Sequence, residues 1–174
     1  MEYEKEIKIR VENLREIESL LIKSGAELIS DCFEKNYLFD SDGKLFSMGE
    51  ALRLREACGK ALLTFKGKKL RTSNYKVREE IEVYVSDFLN MAEILKRLGF
   101  DVVFYYEKKR KNFSFLNSIV SLDETPLGNF VEIEGKEQDI DRVAEFLGFS
   151  RKCYITKDYV QMALDKGITT LKFK

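Results

Sequence analysis

Four charged side chains open the chain at alternate positions: Glu4, Glu6, Lys8 and Arg10. In an extended backbone alternate residues share a face, so these four stand together while Tyr3, Ile7 and Ile9 face the other way, with Lys5 the one charge among them. The pattern recurs. Arg53 and Arg55 share a face in ALRLRE, opposite Leu52 and Leu54, and Thr64 and Lys66 do so in ALLTFKG, opposite Leu63 and Phe65. In YKVREEIEVYV, Lys76, Arg78, Glu80 and Glu82 oppose Tyr75, Val77, Ile81, Val83 and Val85, with Glu79 the lone charge on the apolar side. Lys108 and Arg110 share a parity, as do Glu132 and Glu134 with Val131 and Ile133 behind them, and Asp123 ends the run IVSLD. Carboxylates suit hard divalent cations, and Arg and Lys suit phosphate oxygens. Rows that mix both signs therefore fit a polyanion bound together with a metal ion.

For one strand taken alone, a solvated charged face over a dry one is the ordinary arrangement. Taken together, these rows are nearly all charge, whereas open strand faces usually carry Thr, Ser and Gln as well. A sheet closed into a barrel, with charges inside and helices outside, satisfies both faces of every strand and leaves no open edge. Inward acids and bases partly neutralise one another, because unpaired buried charge is costly. A triphosphate with Mg²⁺ or Mn²⁺ would complete the neutralisation. The expected fold is α+β, a closed antiparallel eight-stranded β-barrel with a charged interior and helices packed outside.

The elements that must position these rows are strand-like runs at about 2–10, 35–40, 50–57, 60–67, 74–85, 101–115, 117–123 and 129–135. Turn signals SDGK, ACGK and PLGN mark antiparallel hairpins between them. Four short amphipathic helices are expected. Asn13 caps Leu14, Ile17, Leu20 and Leu21 up to Gly25, and Ser86 caps Phe88, Met91, Ala92, Leu95 and Leu98 before Gly99. Asp139 opens Ile140, Val143, Ala144 and Leu147 before Gly148, and Thr156 opens Tyr159, Val160 and Ala163. With no linker or low-complexity tract, residues 1–174 read as one domain.

The totals narrow the chemistry. Thirty basic residues balance thirty acidic ones, which argues against a nucleic-acid or membrane surface. The absence of histidine excludes Ser-His-Asp and Cys-His catalysis and every His-ligated metal site. Cys32, Cys58 and Cys153 are odd in number and widely spaced, so reduced thiols are expected rather than a disulfide framework. No apolar run approaches a membrane span and no signal-peptide pattern opens the chain, so the cytoplasm is the default location. A homodimer stays open, because no strand or helix shows a surplus apolar face.

In order along the chain stand E-x-E-x-K at Glu4, Glu6 and Lys8, then LRLRE, LTFKG, VREEIEV, EKKR, LDETPLGNFVEIEG and a late K-x-Y. The series resembles the CYTH or triphosphate tunnel metalloenzyme family, which includes class IV adenylyl cyclases, thiamine triphosphatases and inorganic triphosphatases. The phrases LRLRE, LTFKG and LGNFVEIE look most like the small prokaryotic proteins grouped with the class IV cyclases. The resemblance implies that Glu4, Glu6, Glu132 and Glu134 hold the divalent ion, Mg²⁺ or Mn²⁺. It implies that Lys8, Arg53, Arg55, Lys66, Arg78, Lys108 and Arg110 line the phosphate path. Glu80, Glu82 and Asp123 match acidic positions of the motif, as further metal ligands or as partners that orient Arg and Lys, so that catalysis falls to them with Glu4, Glu6 and Lys8. Lys157 and Tyr159 match the late K-x-Y loosely, and Tyr159 reads equally as a helix residue packed on the barrel wall. The reaction so implied converts ATP to cyclic AMP and pyrophosphate. The alternatives are hydrolysis of inorganic triphosphate, thiamine triphosphate or a nucleotide, and a non-catalytic polyphosphate- or nucleotide-binding module.

Overall fold

The alternating rows become strands of one closed sheet. The computed structural model describes residues 3–70 and 74–174, and Glu2, at the start of the first expected strand, lies outside them. In chain order the elements are β1 (Tyr3–Val11), α1 (Leu14–Lys23), β2 (Glu27–Asp40), α2 (Lys44–Met48), β3 (Ala51–Ala57), β4 (Lys60–Lys66) and β5 (Lys76–Val85). There follow α3 (Phe88–Arg97), β6 (Asp101–Phe115), β7 (Ser118–Thr125), β8 (Gly128–Glu134), α4 (Glu137–Phe146), α5 (Tyr159–Leu164) and the short β9 (Thr170–Leu171). The strand order is β2-β3-β4-β5-β1-β8-β7-β6, and β2 pairs with β6 to close an eight-stranded antiparallel ring; β9 adds a parallel pairing to β6.

Most outward rows pack as their parity requires. Ile7, Ile9, Val77, Val120, Leu122, Val131 and Ile133 are buried against Leu21 of α1 and Ile140, Val143 and Ala144 of α4. A second layer joins Phe39, Leu54 and Leu63 to Phe88, Met91 and Leu95 of α3. Full burial of one such side chain is worth roughly 1.5–3 kcal/mol. The jacket is incomplete: Ile81 and Val83, on the outer face of β5, are 55% and 53% exposed. The expectation that no element carries surplus apolar surface is thus corrected: among the described residues, these two side chains of β5 stay largely uncovered.

Caps shift slightly from the expected residues. Asn13 Oδ1 accepts from Arg15 N at 3.0 Å, as expected. For α3 the cap is Asp87 rather than Ser86, its Oδ1 accepting from Asn90 N at 2.9 Å. The fourth outer helix begins at Glu137, before Asp139, and α5 is capped by Asp158 rather than Thr156. The strand expected at 35–40 begins at Glu27, because β2 is held along its whole length by β6.

Cys32 and Cys58 are joined in a disulfide, Cα–Cα 5.3 Å, which overturns the expectation of reduced thiols; Cys153 is free and exposed. The β2–β3 hairpin pairs Glu34 with Ala57, and this register carries Cys32 to the turn that contains Cys58. Cys58 and Gly59 both adopt positive φ in the tight β3–β4 turn, a conformation suited to a two-residue hairpin loop.

The ring is thinnest between β1 and β5, which pair only through residues 3–6 of β1. Beyond that point Lys8 exchanges backbone hydrogen bonds with Ile155, 3.1 and 2.8 Å, so the C-terminal segment continues the wall. This bridge leads α5 onto the end of the barrel, where Tyr159 and Ala163 pack with Phe104, Tyr106 and Phe130.

Candidate active site

Inside the ring lies a cavity of about 810 Å³. Of the residues expected to act there, Glu4, Glu6, Lys8, Arg53, Arg55, Lys66, Arg78, Glu80, Glu82, Lys108, Arg110, Glu132 and Glu134 all line it. Asp123 lies behind that surface, fully buried.

The charges are paired across the interior. Glu132 contacts both Lys8 and Arg110. Asp123 receives the Arg110 fork, Nε on Oδ1 at 2.6 Å and Nη2 on Oδ2 at 2.5 Å, with Lys108 Nζ at 3.3 Å and the Tyr159 hydroxyl donating at 2.7 Å. Glu6 holds Lys76 at 2.7 Å, and Glu80 holds Lys66. Glu82 is more exposed; it accepts from the Thr64 hydroxyl at 2.7 Å and lies 3.5 Å from Arg53. Arg53 Nε finds no hydrogen-bond acceptor among the described residues although it is buried. Arg78 is engaged differently, donating to the carbonyls of Gly67, Gly49 and Lys66 and so tying loops to the wall.

Three groups of the site carried no clear signal in the sequence. Glu34 and Asn36 of β2 are buried and hold Arg55, whose Nε lies 3.3 Å from Glu34 Oε2 and donates to Asn36 Oδ1 at 2.8 Å. Tyr159 faces the interior rather than the wall, with Lys8 Nζ 4.3 Å from its ring centroid, an arrangement that favours the cation. Lys157, by contrast, is exposed and paired with Asp165 at 2.7 Å. Inward parity was the signal available for Glu34 and Asn36, which share a face of β2 with Leu38 and Asp40.

Proton affinities divide the carboxylates into two sets. Burial raises Glu4 to about 8, reinforced by Glu134 and Glu80, and burial raises Glu134 to about 7, reinforced by Glu6 and Glu80. Burial would raise Glu6 and Glu34 as well, but Lys76 holds Glu6 at about 2, and Lys108 with Arg55 holds Glu34 at about 2. Glu132 is likewise held well below the usual range, because Arg110 and Lys8 outweigh its burial. Burial lowers Lys66 to about 7, helped by Arg53 and Lys76. One end of the site thus concentrates like charge on Glu4, Glu80 and Glu134, where a divalent cation would relieve the repulsion. Among the described residues no three such groups are arranged to ring an ion as they stand. Glu6 and Glu132 are turned to their basic partners instead. The donor set itself, all carboxylate oxygen, fits Mg²⁺ or Mn²⁺.

Comparison with known proteins agrees with this fold. The profile of the CYTH domain matches residues 2–155. A Methanocaldococcus jannaschii protein named "Putative adenylate cyclase" is 32% identical over 171 residues, covering 91% of this chain and 97% of its own. The solved structure of the PH1012 protein from Pyrococcus horikoshii superposes with TM-score 0.77 at 26% identity, covering 91% and 98% of the two chains. An adenylyl cyclase homologue from Hippeastrum, described as having a dominant triphosphatase activity, shares the fold with TM-score 0.71 at 18% identity and 97% coverage of both chains. No helix among the described residues is long and apolar enough to cross a membrane.

Proposed function

Because the chain belongs to the CYTH family, we propose that it is a divalent-metal-dependent enzyme acting on a triphosphate inside the barrel, converting ATP to cyclic AMP and pyrophosphate. The observation that carries the reading is one cavity lined by Lys8, Arg53, Arg55, Lys66, Lys108 and Arg110, with a buried Arg53 donor awaiting an acceptor. The relative from Methanocaldococcus supports the cyclase form by its name.

The residues divide the labour as follows. Arg53, Arg55 and Arg110 offer guanidinium forks to phosphate oxygens, and Lys8, Lys66 and Lys108 offer point charges. Asp123 and Glu34 are orienting groups: each holds two cations that would otherwise be free to swing. An arriving polyanion raises the proton affinity of Lys66 again and keeps it cationic. Glu4, Glu6, Glu132 and Glu134 would hold the ion, with Glu80 beside them. Bound there, it supplies positive charge to phosphate oxygens and screens the leaving group. Chemistry of this kind rests on charge stabilisation and in-line placement, so the absence of histidine is no handicap. In the cyclase reaction the ribose 3′-hydroxyl oxygen bonds to the α-phosphorus while the bond to pyrophosphate breaks, and the hydroxyl proton leaves with the pyrophosphate.

The second reading is a triphosphatase, in which water attacks the terminal phosphorus; the activity described for the Hippeastrum neighbour favours it. Purified protein is incubated with Mn²⁺ or Mg²⁺ and with ATP, inorganic triphosphate or thiamine triphosphate. Cyclic AMP from ATP is the expected product. Orthophosphate without cyclic AMP would replace the cyclase by the hydrolase, and no metal-dependent product from any substrate would remove the enzyme. We place the protein in the cytoplasm, with neither a membrane nor a nucleic acid among its proposed partners.

A further inference from the structure

The bridge between Cys32 and Cys58 stands at the edge of the charged interior. Along β2 the side chains of Cys32, Glu34 and Asn36 share the inward face. Cys32 is paired with Arg110 of β6, and residues so opposed keep their Cβ atoms about 4.5–5.5 Å apart. Next along the same face, Glu34 lies 3.3 Å from Arg55 and 3.4 Å from Lys108. Arg55 belongs to the last stretch of β3, just before the turn that holds Cys58. One covalent bond is thus flanked by Arg110 on one strand and by Arg55 on another, both cations of the phosphate path.

The hydrogen-bond ladder shows what that bond holds. β2 and β3 pair from Phe39 and Leu52 down to Glu34 and Ala57, and there the ladder ends. Past Glu34, β2 runs on along β6 alone. Cys58 and Gly59 turn the chain back at φ 49° and 71°, so that Lys60 starts β4 opposite Ala57. Left-handed backbone comes readily to Gly, Asn and Asp and seldom to other residues. Cys at the first position of this loop is therefore strained, and such strain persists where the surroundings fix it. Here the bridge to β2 does so. Without it Glu34 and Ala57 form an unanchored end, and ends of a ladder open first. Glu34 belongs to that terminal pair, and its hold on Arg55 and Lys108 opens with it.

The bridge is also reachable. Cys58 is exposed while Cys32 is half-buried, so the thiolate of a dithiol attacks Cys58 Sγ and Cys32 leaves as the thiolate. The second sulfur of the dithiol then displaces Cys58 from the mixed disulfide. Two electrons pass from the dithiol to the bridge, its two protons end on Cys32 and Cys58, and the dithiol closes to a cyclic disulfide. A bridge in a compartment that keeps thiols reduced meets such reagents continually.

We propose that the Cys32–Cys58 bridge is a redox switch on the phosphate path. Closed, it fixes Glu34 and, through it, Arg55 and Lys108 in place for a triphosphate. Opened by a dithiol, it lets the ends of β2 and β3 part and weakens binding. The inference rests on the reading of the interior as a triphosphate site and adds a control over that site.

The test compares the full chain, oxidised and after reduction with dithiothreitol and desalting under argon, in Mg²⁺ with inorganic triphosphate or ATP. Affinity is read as KM where the ligand is turned over and as a calorimetric Kd where it is not. Circular dichroism melts of both states set an assay temperature at which each is folded. Reduction should weaken binding about tenfold, as loosening of groups that position a ligand entails, and reoxidation should restore it. Cys32→Ser combined with Cys58→Ser should match the reduced protein and ignore the reductant, whereas Cys153→Ser should respond as the wild type does. A bridge that only stabilises the fold would lower Tm on reduction and leave the constant unchanged. That result, or a response that the double variant keeps, overturns the switch alone. A protein that binds neither ligand in either state overturns the triphosphate reading, and the switch falls with it.

Discussion

Between pH 5 and 7 the metal-free protein should lose stability as the pH rises, and the loss should come from two residues. Glu4 and Glu134 have folded-state values of about 8 and about 7 against 4.5 when unfolded. Through this window the folded chain keeps both protons while the unfolded chain releases them, so folding becomes less favourable with each increment of pH. Lys66, at about 7, is still charged over most of the window; above it, loss of its proton relieves folding strain and reverses the trend, which is why the window closes there. There is no histidine in the sequence, so no group with an ordinary value titrates in between. One tenfold change in proton affinity is worth about 1.4 kcal/mol, so two groups across two pH units could cost about 5 kcal/mol. Both side chains are partly reached by water, and screening reduces this to on the order of 2 kcal/mol. For a chain of this size that is a fall of about 4–8 °C in Tm. Scanning calorimetry at pH 5, 6 and 7 with a chelator would measure it. Added Mg²⁺, or the double substitution Glu4→Gln with Glu134→Gln, should flatten the slope. A Tm that is level or rising over this window, or a slope that the double variant keeps, would refute the claim that these carboxyls are buried beside like charge.

Four further outcomes follow from the packing. Glu6→Gln should leave the far-UV spectrum and cooperative melting in place and lower metal-dependent turnover at least ~100-fold. Ile7→Lys, which puts a charge at a fully buried outward position, should abolish cooperative melting, since the cost exceeds about 4 kcal/mol. Cys58→Ser should lower stability by about 3.5 kcal/mol, the chain-entropy value for a bridge across 26 positions, and thiol titration of the denatured, unreduced wild type should find Cys153 alone. Asp123→Asn should weaken the grip on Arg110 and Lys108 and lower kcat more than it raises KM, a split read from initial rates.

Legibility followed repetition. The inward rows of β1, β3, β4, β5 and β8 were readable because each alternates without interruption and because five separate rows agreed. The first half of β2 was not, since Leu28, Ile29 and Phe33 sit on no single parity and remain exposed; only the partner strand makes it a strand. The helix α2 is five residues long between Gly43 and Gly49, both left-handed, too short for any periodicity to show. Cys32 and Cys58 meet through a hairpin register, which sequence spacing does not report. Within the site, isolated residues failed where rows succeeded: Glu34 and Asn36 were passed over, and Tyr159 was ambiguous because its helical spacing says nothing of which surface the helix meets.

The seam of the barrel has a bearing on how the chain is made. Of the barrel strands β1 is made before the others, yet Ile7 is paired with Ile133 and Lys8 with Ile155. At about 5–20 residues per second of synthesis, its greasy side then waits on the order of 10 s for β8 and the C-terminal segment to emerge. Pairings this distant in sequence also slow closure once the chain is free. Until then β1 can be claimed only through its pairing with β5, and the segment around Ile155, made well after it, closes the wall beside it.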